Sequence, residues 1–314
     1  MTRSPGLIGI FGVTGFIGKA LKGHLAGRGY DLRGVSRHIS QDFRDTHASR
    51  RVELVEASIQ DPFAIAAALQ GVDTVVQLIS TSAPSLGNRF ITSDIMDNVI
   101  PHVTAIEAAL SIGAKRYIFV SSGGSVYGAN APVPTPEEAA TFPLSSHGIT
   151  KLMIEKYLAL FGAQDDLDYV VLRPSNPYGP GQTFRKGQGL IPAVLQRVER
   201  EQAVQVFGDG SAERDYIYID DVLTAIEAAI LRPEARQQTF NIGSGRGTSI
   251  VGLLDALQDG IGRPIRRDFL PARKSDVPRS VLDISKAERL LGWSPQIGLR
   301  DGIHRTLLSH GLAG

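Results

Sequence analysis

His147 and Lys151 stand four residues apart in the stretch "SSHGITKLMIEKYL" (145–158). On a helix this spacing puts both side chains on one face. A neighbouring ammonium disfavours protonation of an imidazole and keeps it neutral, the form a general base needs. A second chemical signature lies in "FGVTGFIG", where Gly12, Gly15 and Gly18 fall at GxxGxxG spacing. Glycines there let the backbone turn sharply, approach a pyrophosphate and pack a helix close to a strand. The helix N-terminus adds free N–H groups and partial positive charge. An apolar strand before the motif and a helical pattern after it are the context of a dinucleotide site. An acidic residue ending the second strand normally grips the adenosine ribose of NAD. Ser36 and Arg37 stand there instead, with Asp31 at the strand's beginning. Arg37 fits the 2′-phosphate of NADP, an adenine face or plain solvent. NAD is the expectation, and NADP stays open.

The elements that must position these residues alternate along the first half of the chain. "GLIGIFGV" (6–13), "DLRGVSR", "VELVEASI" (52–59), "VDTVVQLIS" (72–80), "KRYIFVSSGG" (115–124) and "LDYVVLRPSNPYG", ending at Pro174, read as six buried strands. Between them, "DPFAIAAALQG" reads as a helix with Asp61 as N-cap, Pro62 at the first position and Gly71 past the end. "SDIMDNVIPHVTAIEAALSIGA" and residues 145–161 read as two longer helices. Apolar strands alternating with helices predict an α/β fold, a doubly wound parallel sheet of Rossmann type. We expect a dinucleotide-binding domain over 1–175, completed by about 206–242. A smaller substrate-binding lobe is expected over 176–205 and 243–314. "RDYIYIDDVLTAIEAAIL" (214–231) is expected to return to the main sheet. Ser249 is expected to cap a helix after "NIGSGRGTSI" (241–250) rather than to close a second phosphate loop.

Composition narrows the class. With 314 residues, a formal net charge of +1 and no cysteine, the chain has no basic field for nucleic acid, no disulfide and no thiolate metal site. Its seven histidines form no close ligand pair, so no metal is expected. The first apolar run is short and flows into the glycine motif, which reads as a buried strand rather than a signal peptide. No run is long enough to cross a bilayer. A cytoplasmic protein with no membrane or nucleic-acid partner is the expectation.

Taken jointly and in order, further motifs resemble the extended short-chain dehydrogenase/reductase family, and within it the UDP-sugar 4-epimerases. They are "GVTGFIG", "SSGGSVYG" (121–128), "LRPSNPYGPGQ" (172–182), "VFGDGSAERDYIYIDDV" (206–222) and "ARKSDVPRSVLDISKAERLLGWSP" (272–295). The resemblance implies C4 epimerisation of a UDP-hexose or UDP-N-acetylhexosamine by transient oxidation at C4, in a homodimer formed through paired helices. It implies that Gly12, Gly15, Phe16, Ile17, Gly18, Arg37, Ser58, Ile59, Lys151 and Pro174 hold the cofactor. It places Ser122, Asn176, Leu190, Val206, Phe207, Arg214, Arg273 and Asp276 around the substrate. Arginine suits the diphosphate end because its planar fork donates two hydrogen bonds at once.

Two positions depart from the family pattern. His147 occupies the place of the catalytic tyrosine, and Gly123 that of the catalytic Ser/Thr, with Ser122 and Ser125 beside it. Histidine is shorter than tyrosine, so His147 needs a bridging water or a closer substrate, and Ser122 is the candidate hydroxyl. Three readings stand beside the epimerase: an NADPH-dependent 4-keto-sugar reductase, a sugar-nucleotide binding protein with impaired catalysis, and a 4,6-dehydratase. The last lacks its Asp-Glu pair, since Gly124 and Ser125 stand there.

Overall fold

The structure is a computed structural model that describes residues 5–47, 50–82, 90–184, 189–273 and 277–314. Its strands are β1 (Ile8–Phe11), β2 (Leu32–Ser36), β3 (Val52–Glu56), β4 (Thr74–Gln77), β5 (Arg116–Val120), β6 (Tyr169–Pro174) and β7 (Asn176–Tyr178). Then come β8 (Val204–Phe207), β9 (Glu213–Tyr218), β10 (Gln238–Ile242), β11 (Gly247–Ser249), β12 (Arg267–Leu270) and β13 (Arg279–Ser280). The expected six strands are β1 to β6. They join β10 in one parallel sheet of order β10-β6-β5-β4-β1-β2-β3.

Side chains alternate across this sheet, as the two-residue period of a strand requires. Ile8, Ile10, Val76, Ile118 and Leu172 face one apolar layer, shared with Leu21 and Leu25 of the Phe16–Gly27 helix and Ile226 of the Ile219–Leu231 helix. Val75, Tyr117, Phe119 and Val171 face the other, with Ile65 of Pro62–Leu69, Ala105 of Ile100–Ser111 and Ile154 and Leu158 of Ser146–Asp165. Asp61 caps the Pro62–Leu69 helix by accepting from the N–H groups of Phe63 and Ala64, and Ser249 caps Ile250–Ile261 by accepting from Gly252. Each such cap contributes about 1 kcal/mol.

The 214–231 stretch corrects one expectation. Its strand β9 does not join the main sheet; it pairs with β7, β11 and β13 in a smaller sheet. Its helix Ile219–Leu231 does pack beneath the main sheet, and the strand that closes that sheet is β10. The other long helix is interrupted. Ile91–Asp94 leads into a π-helical turn, Ile95–Val99, and then into Ile100–Ser111. Pro101 has no N–H for the preceding turn, which removes a hydrogen bond an unbroken α-helix would need there.

Strand order reverses between β1 and β4, whose chains leave in opposite directions. In open parallel sheets this point opens a crevice at the carboxyl ends of the strands, where ligands bind. The glycine loop leaves β1 there, and residues 78–82 leave β4.

Candidate active site

The glycine loop is built from backbone. Gly12 takes φ +93°, a conformation that favours glycine. A Cβ on Gly18 would stand 2.2 Å from the Gly12 carbonyl oxygen, and one on Gly15 would stand 3.2 Å from it. The helix starting at Phe16 has Gly15 at its N-cap and no side chain capping it, so its first N–H groups, among them Phe16 and Ile17, face the loop. This cradle fits a pyrophosphate. Thr14 Oγ1 meets Ser36 Oγ at 2.7 Å, tying the loop to the end of β2, and Arg37 beyond it is exposed. Ile59 is buried beyond β3 and Ser58 half-buried. Pro174 is buried at the end of β6, in register with Ile242.

The helix Ser146–Asp165, which carries His147 and Lys151, starts on a Ser145 cap that accepts from Gly148 N–H. His147 and Lys151 are both 6% exposed. Lys151 Nζ donates to the Val120 carbonyl at 2.9 Å and lies 4.6 Å from the centre of the Phe119 ring. Burial brings its ammonium down to about 8, against the pull of Glu155 one turn on. His147 Nδ1 lies 3.1 Å from Ser82 Oγ. Burial first, and the Lys151 charge second, lower the imidazole to about 4, so it is neutral at physiological pH.

Below the lysine, Glu155 accepts from Arg173 Nε at 3.1 Å and from Ser121 Oγ, and both members of the pair are buried. Arg173 continues to Tyr127 Oη at 2.8 Å, and Tyr127 donates to Asn241 Oδ1 at 2.7 Å. His147, Lys151 and Glu155 thus form one face at four-residue spacing, whose third member the sequence reading did not use.

At the substrate end, Asn176 Nδ2 donates to the Asp215 carbonyl at 2.8 Å. Arg214 Nη1 donates to the carbonyls of Glu213 and Val277, and its other guanidinium nitrogens have no hydrogen bond among the described residues. Arg273 is exposed, its guanidinium 3.3 Å from the centre of the Phe207 ring. Val206 is buried in β8, and Leu190 opens the Leu190–Glu199 helix. Asp276 lies outside the described residues.

A seven-stranded sheet with a glycine cradle at its reversal point and a lysine-bearing helix beside it has counterparts among known proteins. The profile of the NAD dependent epimerase/dehydratase family matches residues 8–243. This chain belongs to that family. UDP-glucose 4-epimerase of Mycolicibacterium smegmatis is 32% identical over 307 residues, which are 95% of this chain and 96% of the relative. An Escherichia coli dTDP-4-dehydro-6-deoxyglucose reductase is 31% identical over 98% of both chains. The crystal structure of UDP-glucose 4-epimerase from Thermotoga maritima with UDP-glucose superposes with a TM-score of 0.90 at 33% identity, covering 97% of this chain and 98% of that one.

Within this family frame, the glycine at 123 has a packing cause. A Cβ there would lie 2.6 Å from Leu282 Cδ1 and 2.9 Å from the Arg173 carbonyl oxygen. The neighbouring Ser122 Oγ donates to Ser125 Oγ at 3.1 Å. Sequence reasoning missed Ser82, which meets His147, Asp94, whose charge acts on it, and Asn98, which is bonded to Asp94. Among polar residues in loops and helix starts, no spacing rule singles them out.

Proposed function

We propose that the protein is an NAD-dependent UDP-hexose 4-epimerase in which His147 takes the place of tyrosine. The observation that supports this most is the pairing of a buried, neutral His147 with Lys151 on one face of a helix beside the glycine cradle. Relatives of the same length include UDP-glucose 4-epimerases.

NAD, when bound, would supply a reversible hydride acceptor for the sugar carbon. The chain's residues do the rest. The N–H groups after Gly15 hold the pyrophosphate, and Lys151 holds the nicotinamide ribose. Asn176, Arg214 and Arg273 contact the diphosphate side of the sugar nucleotide, together with Leu190, Val206, Phe207 and Asp276. Ser122 lies toward the sugar hydroxyls. Neutral His147 takes the proton of the C4 hydroxyl as the carbonyl forms and gives it back after the keto-sugar has turned over. With an imidazole near 4, proton removal from a hydroxyl is uphill, and the Lys151 charge favours the negative charge that develops on the oxygen before the carbonyl is complete.

We also propose a homodimer. Ile95, Met96 and Ile100 on one helical segment and Ile149 and Leu160 on the catalytic helix are exposed large apolar side chains, the composition of a face that pairs with a second copy. Light scattering of the purified protein at micromolar concentration would return twice the chain mass; a chain-mass species would remove this part.

The test of the activity is incubation of the freshly purified protein with UDP-galactose and no reductant, followed by NMR of the anomeric protons. The expected result is conversion to an equilibrium mixture with UDP-glucose, lost in His147→Tyr. Faster conversion in His147→Tyr would mark the histidine as an impairment, and tight binding with no conversion would mark a binding protein. Arg37, exposed where an acid would select NAD, is the observation that favours the 4-keto-sugar reductase. That enzyme would oxidise NADPH mole for mole with its keto-sugar.

A further inference from the structure

A histidine can replace a tyrosine as base only if its basic nitrogen is aimed and its proton is tolerated, and one polar cluster bears on both. Asn98, 3% exposed within the π-helical turn, is bonded in two directions. Its Nδ2 donates to Asp94 Oδ1 at 2.7 Å and to Thr81 Oγ1 at 2.8 Å, and its Oδ1 accepts from Thr81 N–H at 3.0 Å. This clamp fixes the chain leaving β4 immediately before Ser82. Ser82 Oγ then meets His147 Nδ1, and the Ser82 main-chain carbonyl accepts from the same ring. The one hydrogen bond of the His147 ring nitrogens to a side chain among the described residues is at Nδ1.

Asp94 is 5% exposed, and its second carboxylate oxygen is buried with no hydrogen-bond partner among the described residues. Such an orphan is costly unless a charge or a donor answers it. Among the described residues, the charges that act on His147 are Lys151 on its own helix, against protonation, and Asp94 on the segment packed across it, in favour. A buried carboxylate answers a proton only when one arrives.

Resting on the epimerase reading above, we propose that Ser82 and Asp94 are positioning residues for His147. Ser82 accepts from Nδ1–H and so leaves Nε2 as the basic nitrogen facing the substrate; Asp94 stabilises the imidazolium while the proton is held. The proton balance is closed within the site. The C4 hydroxyl proton moves to Nε2 as the C4–H bond gives its electron pair to the cofactor, and both return in the reverse step. No proton passes to Ser82 or to Asp94; their effect is on which nitrogen reacts and how readily.

The test uses the full chain with 15N-labelled histidine, and its main reading does not depend on turnover. Nitrogen shifts report the tautomer and titration of His147, assigned by His147→Gln. In the wild type the neutral ring should carry its proton on Nδ1. Ser82→Ala keeps the main-chain acceptor and should shift part of the population toward Nε2–H, and Ser82→Thr should restore it. Asp94→Asn should move the titration to lower pH, with Ser82→Ala serving alone if that variant does not fold. In turnover, Ser82→Ala should lower kcat about tenfold with KM little changed. An Nε2–H ring in the wild type, or a tautomer that Ser82→Ala leaves unmoved, overturns the proposal. A wild type that carries Nδ1–H yet converts no sugar would retire the epimerase reading and leave the positioning intact.

Discussion

The glycine loop after β1 and the head of the Ser146–Asp165 helix meet the same crevice but are made of different material. The loop acts through backbone: a φ of +93° at Gly12 and a gap at Gly18 too small for one carbon. The helix head, with the turn after β5 beside it, acts through side chains, and two of the types expected there are absent, with His147 on the helix and Gly123 in the turn in their places. A backbone site has few ways to vary, because an added atom collides with the chain itself. A side-chain site can be rebuilt if neighbours such as Ser82 and Asp94 supply what the new residue lacks.

The comparison is broken most directly at the loop. Gly18→Ala forces a carbon against the Gly12 carbonyl at 2.2 Å, backbone on backbone, so neither side can yield by rotating a side chain. We expect NAD retention to fall at least a hundredfold, measured by calorimetry; binding within threefold of wild type would show that the loop is not the cradle. At the helix, the largest effect belongs beneath His147 and Lys151. Arg173→Met leaves Glu155 buried without its partner, a change that typically costs about 3–5 kcal/mol. Thermal unfolding should drop by on the order of 10 °C. A drop of only a degree or two would mean that water reaches the carboxylate.

How much could be read in advance follows the same division. Strands β1 to β6, the Asp61 and Ser249 caps and the glycine cradle were legible because periodicity and backbone demands leave marks in consecutive residues. The separation of β9 from the main sheet was not, since "RDYIYI" has the alternation of a strand in either sheet. Asn98 and Asp94 were hidden by the π-helical turn, which rotates the helix face by a residue relative to regular α-helical spacing. Ser82 reaches His147 across 65 positions of sequence, a contact that only the fold creates.

At the helix head, stability should depend on pH. His147 titrates near 4 in the fold, against an ordinary 6.5. Between pH 6.5 and 4 the unfolded chain binds a proton that the folded chain refuses, so stability falls as pH falls through that window. The full shift corresponds to on the order of 3 kcal/mol. His102, buried and lowered to about 3, acts with the same sign. His147→Gln should therefore remove roughly half of the slope of unfolding free energy that the two rings contribute between pH 4.5 and 6.5. Urea unfolding at three pH values reads this directly. An unchanged slope would place the ring in contact with solvent and weaken its standing as a sequestered base.

The smallest effect tests whether the family serine could simply be put back. Gly123→Ser would press its Cβ on Leu282 Cδ1 and on the Arg173 carbonyl. The leucine can move, but the carbonyl belongs to β6 and is held in the sheet. Overpacking of this kind costs about 1–3 kcal/mol. Trimming Leu282 to Val should recover only part of it, because the 2.9 Å contact with the carbonyl remains. We expect the serine variant to melt a few degrees lower and to turn over no faster than wild type. A Gly123→Ser protein that is equally stable and several-fold faster would show that the helix head kept the geometry of the family's side-chain site and lost only its atoms. The two regions would then differ in history rather than in the material that makes them.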